Sequence, residues 1–439
     1  MQFTTNCTHS FIFWNNKGGV GKTTLAFQSL CEHALDNPKK KFMVVDCDAQ
    51  ANMSAALLGS FDMVEQIFRE DRLRIAGGAG SGRPYARGLF SIFELSNALA
   101  AGRGVLRQLN DNGFDVRPIH VAEVRTVERD ILQQQDRGEG NRAEADKERR
   151  EKHRPRGGVD FPDNIWLIPA HPALDRITGA LNRHINQDDV LKFFRLVPKV
   201  VGRAMEELDK ASPDKSQDHG WEVFADAGPS WSILTHIAMF ACDSLVLVCK
   251  ADDFTVQGCR NMFNLIYGTE LSPLDPAAPH VLMPPPPGGV DQPFIGLVQE
   301  ANVPSVAAVV INDIQARLGG TVQQTERVIR DFIGVEGTTH QRPCLYAVYA
   351  THRRWFNGGN RGLPQLTVDG FKQQHIVSFY DMHSCATLIN RFPVTMLRNA
   401  GASVRGRRDR GLRNAHELLN VLHGLPRDQP RNNPIYDVE

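Results

Sequence analysis

The chain has 439 residues, of which 41% are hydrophobic and 23% charged, and its 50 basic side chains balance 50 acidic ones. Bulk charge therefore points to neither nucleic acid nor membrane, and any basic surface must be local. None of the eight cysteines forms a C-x-x-C pair, which disfavours zinc-ribbon, iron–sulfur and thioredoxin-like readings and fits reduced thiols. No apolar run approaches the length of a membrane helix. Phe11 to Trp14 lacks the flanks of a signal peptide, so a cytoplasmic protein is expected.

In chain order, Phe11 to Trp14 reads as a short buried strand, and Thr24 to Leu35 as a helix with Leu25, Ala26, Leu30 and Ala34 apolar. Phe42 to Val45 is a second buried strand. Strand, glycine-rich loop, helix and strand make a β-α-β unit of a parallel sheet. Further strands are expected at Asn164 to Pro169, at Glu222 to Ala225 (ending on Asp226), at Ser244 to Cys249, and at Val306 to Ile311 (ending on Asn312), with a helix over Ser230 to Ala241. The expected fold is α/β: one domain over 1–439, with an open, mostly parallel sheet, helices on both faces, and ligands at the carboxyl ends of the strands. Three stretches interrupt it. Residues 123–156 form a mixed-charge insert, helical or disordered. Residues 271–293 carry "MPPPPGG", a proline-rich loop. Residues 340–375 read as a long loop or an added subdomain. Gly77 to Gly82 reads as a surface turn.

The loop "NNKGGVGKTT" almost spells G-x-x-x-x-G-K-[ST]. Gly21, Lys22 and Thr23 fit its end, but Asn16 stands where the first glycine belongs, and Lys17 follows it. Backbone N–H groups of Gly18, Gly19, Val20 and Gly21 can converge on an anion at a helix start, with Thr24 in the first turn. Lys22 reaches β- and γ-phosphates, and the Thr23 hydroxyl suits Mg²⁺. After the second strand, "VVDCDAQANMS" places Asp46 and Asp48 two residues apart. A strand continued through both would put their carboxylates on one face; either could instead cap the next helix.

"KGGVGKTT" resembles the deviant Walker A motif of the ParA/MinD/NifH family of P-loop ATPases. The resemblance extends to Asp46, Asp48, Gln50 and Asn52, and to "VFADAGPS" around Asp226, which looks like the family's Walker B. It is specific in the two N-terminal motifs and soft beyond Gly258. It implies ATP and Mg²⁺ as cofactors, with Lys17 reaching a partner's phosphates across an ATP-dependent homodimer. It implies that Asp48 orients the attacking water, that Asp226 supports the Mg²⁺ hydration shell, that Asp46 acts near Mg²⁺ or its waters, and that Asn312 meets adenine. Lys17 facing solvent or only its own nucleotide stays the alternative.

Among family functions, the polar, proline-broken tail "GLPRDQPRNNPIYDVE" does not suit a membrane-binding helix, so no membrane partner is expected. Cysteine-ligated reductases and two-P-loop metalloid pumps fit poorly. The favoured reading is a slow ATP hydrolase, stimulated by an unidentified protein partner, that binds DNA nonspecifically, associates with the nucleoid, and partitions DNA or other cargo. The alternative is an ATP-switched scaffold that recruits a protein in a plasmid, conjugation or phage-defence module. Arg405, Arg407, Arg408, Arg410 and Arg413, offset only by Asp409, form the candidate DNA patch; a solvated charged face is its bland reading.

Overall fold

A computed structural model describes residues 3–4, 6–76, 84–96, 114–125, 161–176, 187–211, 220–250, 253–267, 303–314, 327, 329–334, 344–357, 365–380 and 415–424. Strand β1 (Cys7–Trp14) leads into helix α1 (Lys22–Asp36) and strand β2 (Lys41–Cys47). Helices α2 (Asn52–Leu58) and α3 (Phe61–Ala76) follow. Strands β3 (Tyr85–Ala86) and β4 (Asp115–Val116) pair in a small ribbon, with α4 (Leu89–Leu95) between them in sequence. Then come β5 (Ile119–His120), β6 (Ile165–Ile168), α5 (Gln187–Ala211), β7 (Trp221–Ala227), α6 (Ile233–Ala241), β8 (Ser244–Lys250), α7 (Asp253–Tyr267) and β9 (Ser305–Ile314). Helices α8 (Leu345–His352) and α9 (Val368–His375) precede β10 (Ile376–Tyr380).

Eight strands form one sheet in the order β10-β9-β8-β1-β7-β2-β6-β5. Every neighbouring pair is parallel except β5 with β6. The expected α/β class, with a mostly parallel sheet and helices on both faces, is what the chain forms. Strand alternation shows why two helical layers are needed. On one face, Phe11, Phe42 and Phe224 pack together, and His33 of α1 lies edge-on to Phe42. On the other, Trp221 packs against Trp166 and donates its indole N–H to Asp209 of α5. A strand buried on both sides cannot alternate polar with apolar, hence runs such as "FIFW" and "LVLVC".

The strands run longer than the sequence suggests. β7 continues through Asp226 to Ala227, and β2 through Asp46 to Cys47. α1 begins at Lys22 rather than Thr24 because Gly21 accepts its first bond from Leu25 N–H (2.9 Å). α6 begins at Ile233, where Ser232 caps Thr235 N–H. The described parts of 340–375 are tied to the sheet. Phe356 bridges Val306, Phe356 and Phe371 join the main core, and β10 then extends the sheet beside β9. The insert at 126–156, the loop at 271–293 and the turn at 77–82 lie outside the described residues. No helix among the described residues is long and apolar enough to cross a membrane. The seven described cysteines are all free thiols.

The amide of Asn164, just before β6, ties the sheet to the end of α1. It donates to the carbonyls of Ala34 (3.1 Å), Asn37 (3.0 Å) and Lys40 (3.0 Å). Helix-terminal carbonyls have no partner in their own helix. Asn164→Leu is expected to cost about 2–4 kcal/mol in urea-melt stability, because the buried carbonyls lose their donor. A loss under about 0.5 kcal/mol would show that water replaces it.

Candidate functional site

The glycine-rich loop joins β1 to α1, and two asparagine amides hold it from outside. Asn15 donates to Val248 O of β8 (2.7 Å) and accepts from Lys17 N–H (2.8 Å). Asn312 of β9 donates to Val20 O (2.8 Å). Gly19 (φ 69°) and Gly21 (φ 91°) adopt the left-handed backbone that a side chain would strain. At Gly21 a Cβ would also lie 2.2 Å from Asn312 Nδ2. The loop therefore has one shape, and it ends on the N-terminus of α1, where anions bind.

Lys22 is buried, and its ammonium donates back to the Lys17 carbonyl (3.2 Å). Burial lowers its pKa, opposed by the nearby charges of Asp226 and Asp48. The Thr23 hydroxyl donates to Asp226 Oδ2 (2.7 Å). Asp226 is fully buried, and its Oδ1 has no hydrogen-bond partner. Asp46 is its register partner on the adjacent strand. Desolvation pushes both carboxyls up: Asp46 to about 7, and Asp226 well above the ordinary carboxylate range, with their mutual repulsion adding to the shift at Asp226.

The capping alternative at Asp46 is visible. Its Oδ2 accepts from the backbone N–H of Ser54 (2.8 Å) and from the Ser54 hydroxyl (2.6 Å), and its Oδ1 from Asp48 N–H (3.0 Å). Its two oxygens are thus engaged on the α2 side, while Asp226 keeps one oxygen free beside Thr23. Asp48 lies just past the end of β2. Its Oδ1 accepts from Gln50 N–H (3.0 Å), and burial raises its pKa while Gln50 and Lys22 pull it back. Ala51, at φ 54°, is the single non-glycine residue with positive φ among those described. That strained turn carries the chain from Asp48 into α2.

These residues open on a cleft of about 660 Å³ lined by Gly18, Gly19, Gly21, Lys22, Thr23, Thr24, Asp48, Gln50, Asn52, Phe61 and Pro229. The chemistry of this donor set fits a nucleotide polyphosphate with Mg²⁺. A buried cation and left-handed glycines suit the phosphates, and a hydroxyl beside an unpartnered buried carboxylate oxygen suits a hydrated divalent ion. Of the sequence-predicted residues, Gly18 to Thr24, Asp46, Asp48, Asp226 and Asn312 converge here. Arg405 to Arg413 lie outside the described residues. Sequence reading missed Asn15, Ser54 and the Trp14 indole, which donates to Gly228 O (3.0 Å). Ser54 carried a faint signal, as a polar residue inside the apolar "NMSAALL".

A family model described as an AAA domain matches residues 9–73. The ATPase GET3 of Candida glabrata is 43% identical over 58 residues, 13% of this chain and 17% of that protein. The ATPase GET3 of Lachancea thermotolerans is 40% identical over 70 residues, 16% of this chain and 18% of that protein. The match thus spans under a fifth of the length of these curated relatives. Among solved structures, an ATP complex of Cyanothece McdA aligns over 97% of this chain and 98% of its own, at 10% identity and a TM-score of 0.45. The pNOB8 ParA bound to nonspecific DNA aligns over 96% and 99%, at 12% identity and a TM-score of 0.39.

A buried carboxylate pair that lacks a cation is a liability for the ligand-free fold. Asp226 has a raised folded pKa, so its contribution to stability is full below the unfolded pKa and is lost as pH rises through the folded value. Asp226→Asn is therefore expected to stabilise the ligand-free protein near pH 7.5 by about 0.5–2 kcal/mol. The gain should shrink toward pH 4, and Mg²⁺-dependent nucleotide binding should be lost. Denaturant melts at several pH values check this, and a destabilised Asp226→Asn at pH 7.5 would contradict it.

Proposed function

We propose that this chain is a P-loop protein of the ParA/MinD type, and that it binds Mg²⁺-ATP at the described cleft and hydrolyses it slowly as an ATP-dependent homodimer; the AAA-domain match over residues 9–73 supports the P-loop reading. The observation that carries the reading is the Thr23–Asp226 hydrogen bond, with the free Asp226 Oδ1 behind it and buried Lys22 beside it. A bound Mg²⁺ would supply neutralisation of phosphate charge. Thr23 and Asp226 are the residues that would hold the ion. Asp46, behind Asp226, adds negative charge to the ion's surroundings while its own oxygens stay bonded to Ser54 and Asp48. Gly18 to Gly21 wrap the phosphates, Lys22 pairs with them, and Thr24 closes the first turn of α1. In this reading Asn312, bonded to the loop at Val20 O, would offer its unpartnered Oδ1 to the adenine.

Asp48 is the water-orienting group. It stands buried at the cleft wall, and Gly228 approaches it so closely that a Cβ there would lie 3.1 Å from its Oδ1. Lys17 serves the partner subunit's phosphates, which makes turnover depend on assembly. Asp48→Ala is expected to keep ATP binding and to lose about 10²–10⁴ in hydrolysis rate. In sedimentation it should be dimeric with ATP and monomeric with ADP. Turnover at the unmodified rate would remove Asp48 from its role, and a monomer in both nucleotides would remove the sandwich dimer.

The finer reading is partition or positioning of DNA or other cargo through nonspecific DNA binding at Arg405, Arg407, Arg408, Arg410 and Arg413, with a protein partner stimulating hydrolysis. It rests on the density of arginine in that sequence. ATP-dependent binding to a random duplex is expected to weaken with salt. Replacing Arg405, Arg407 and Arg408 together with glutamate should abolish it and spare basal hydrolysis. Undiminished binding would place the DNA surface elsewhere.

A further inference from the structure

At the opposite end of the sheet from the phosphate loop, a buried carboxylate is ringed by histidines. Glu222, the second residue of β7, has no solvent exposure. It lies four residues before Asp226, about 13 Å along the strand, so this cluster is separate from the cleft. His33 of α1 places Nε2 at 2.7 Å from Glu222 Oε2, and the Asn37 amide meets His33 Nδ1 at 3.0 Å. Asn37 thus leaves the Nε2 proton of His33 pointing at the carboxylate. Lys40, about a quarter exposed, pairs its ammonium with Glu222 Oε1.

His423 makes the cluster unusual. It follows the helical stretch 415–422, and its Nδ1 lies 2.7 Å from the Leu419 carbonyl. A carbonyl oxygen only accepts, so Nδ1 carries the proton. In the neutral ring, Nε2 then presents a lone pair, yet it lies 3.2 Å from both oxygens of Glu222. That contact is favourable only if Nε2 also carries a proton or a cation lies between the ring and the carboxylate. His9, at the start of β1, stands edge-on to His423 with ring centroids 5.0 Å apart. One donor atom from each of His9, Glu222 and His423 falls within 4.8 Å of the others.

We propose that His9, Glu222 and His423 form a binding site for a divalent transition-metal ion of the zinc class, which pins residues 415–424 to the sheet. Two imidazoles and one carboxylate are a recurrent zinc donor set, with a fourth position open to water. Metal–nitrogen and metal–oxygen bonds near 2.1 Å put tetrahedral donors about 3.3 Å apart, close to the His423–Glu222 spacing. The outer hydrogen bonds that such ligands need are already made. His423 gives its other N–H to a backbone carbonyl, and Glu222 accepts from His33. The Lys40 ammonium holds the carboxylate in the cation's absence, and its partly exposed side chain can leave to water. The three ligands come from β1, β7 and the 415–424 segment, so the ion cross-links parts of the chain more than 200 residues apart in sequence.

The test uses the full chain, stripped with chelator and then dialysed against Zn²⁺ or Co²⁺. One equivalent of metal per chain, a tetrahedral Co²⁺ absorption band, and a raised thermal midpoint are expected. His423→Gln and His9→Gln should each lower affinity by about 10-fold or more, with circular dichroism confirming that each is folded. His9→Gln, at a half-buried position, guards against a folding defect in the other variant. Lys40→Met removes the competing ammonium and should tighten binding several-fold, a result no merely structural role for Lys40 yields. No stoichiometric metal at tens of micromolar, unchanged affinity in both histidine variants, or an imidazolium at His423 that persists with excess metal would overturn the site.

Discussion

Two carboxylates face each other across paired strands, Asp46 on β2 and Asp226 on β7, both without solvent exposure. Like charges in a dry interior are costly, and the fold tolerates them only by surrounding one with donors and leaving the other open. Asp46 takes three hydrogen bonds from Ser54 and Asp48. Asp226 takes one from Thr23 and keeps an oxygen free. That asymmetry gives the pair a direction. The unmet demand for positive charge points toward the loop, where Lys22 and the start of α1 already lie.

The rest of the architecture serves that placement. β7 sits between β1 and β2, so the loop after β1 and the turn after β2 both open at its carboxyl end. Asn15 and Asn312 reach in from β1 and β9 and fix the loop by its backbone. The positive φ at Gly19 and Gly21 removes the freedom to substitute there, and Asn312 packs so closely on Gly21 that even a methyl group would collide. Sheet order, loop shape and carboxylate field are one constraint seen at three scales.

Much of this was legible in the sequence, for stated physical reasons. Doubly buried parallel strands read as continuous apolar runs, so β1, β2, β7, β8 and β9 stood out. The loop announced itself through glycine spacing and G-K-T. The carboxyl ends of β2 and β7 read about two residues short because Asp46 and Asp226 look like terminators, whereas here they are strand residues, and β1 begins four residues before its apolar run. α3, α4 and the short strands β3 to β5 escaped notice, since their apolar faces are completed by distant segments. Asn15 and Ser54 were silent because their value lies in contacts with Val248 O and Asp46, which only the tertiary fold brings near. The cluster around Glu222 was equally silent: His9, His33 and His423 are scattered in sequence and meet only when β1, α1 and residues 415–424 pack on β7.

In the proposed function, the free oxygen of Asp226, backed by Thr23, serves a nucleotide-bound divalent ion. The most direct measurement is calorimetric titration of ATP into the chain with Mg²⁺ and with chelator, for the unmodified protein and for Thr23→Val, which removes the hydroxyl at constant shape. Tight Mg²⁺-dependent binding is expected in the unmodified protein, and loss of the Mg²⁺ dependence in Thr23→Val with weak metal-free binding retained. Equal ATP affinity with and without Mg²⁺ in the unmodified protein, or full Mg²⁺ dependence in Thr23→Val, would contradict it.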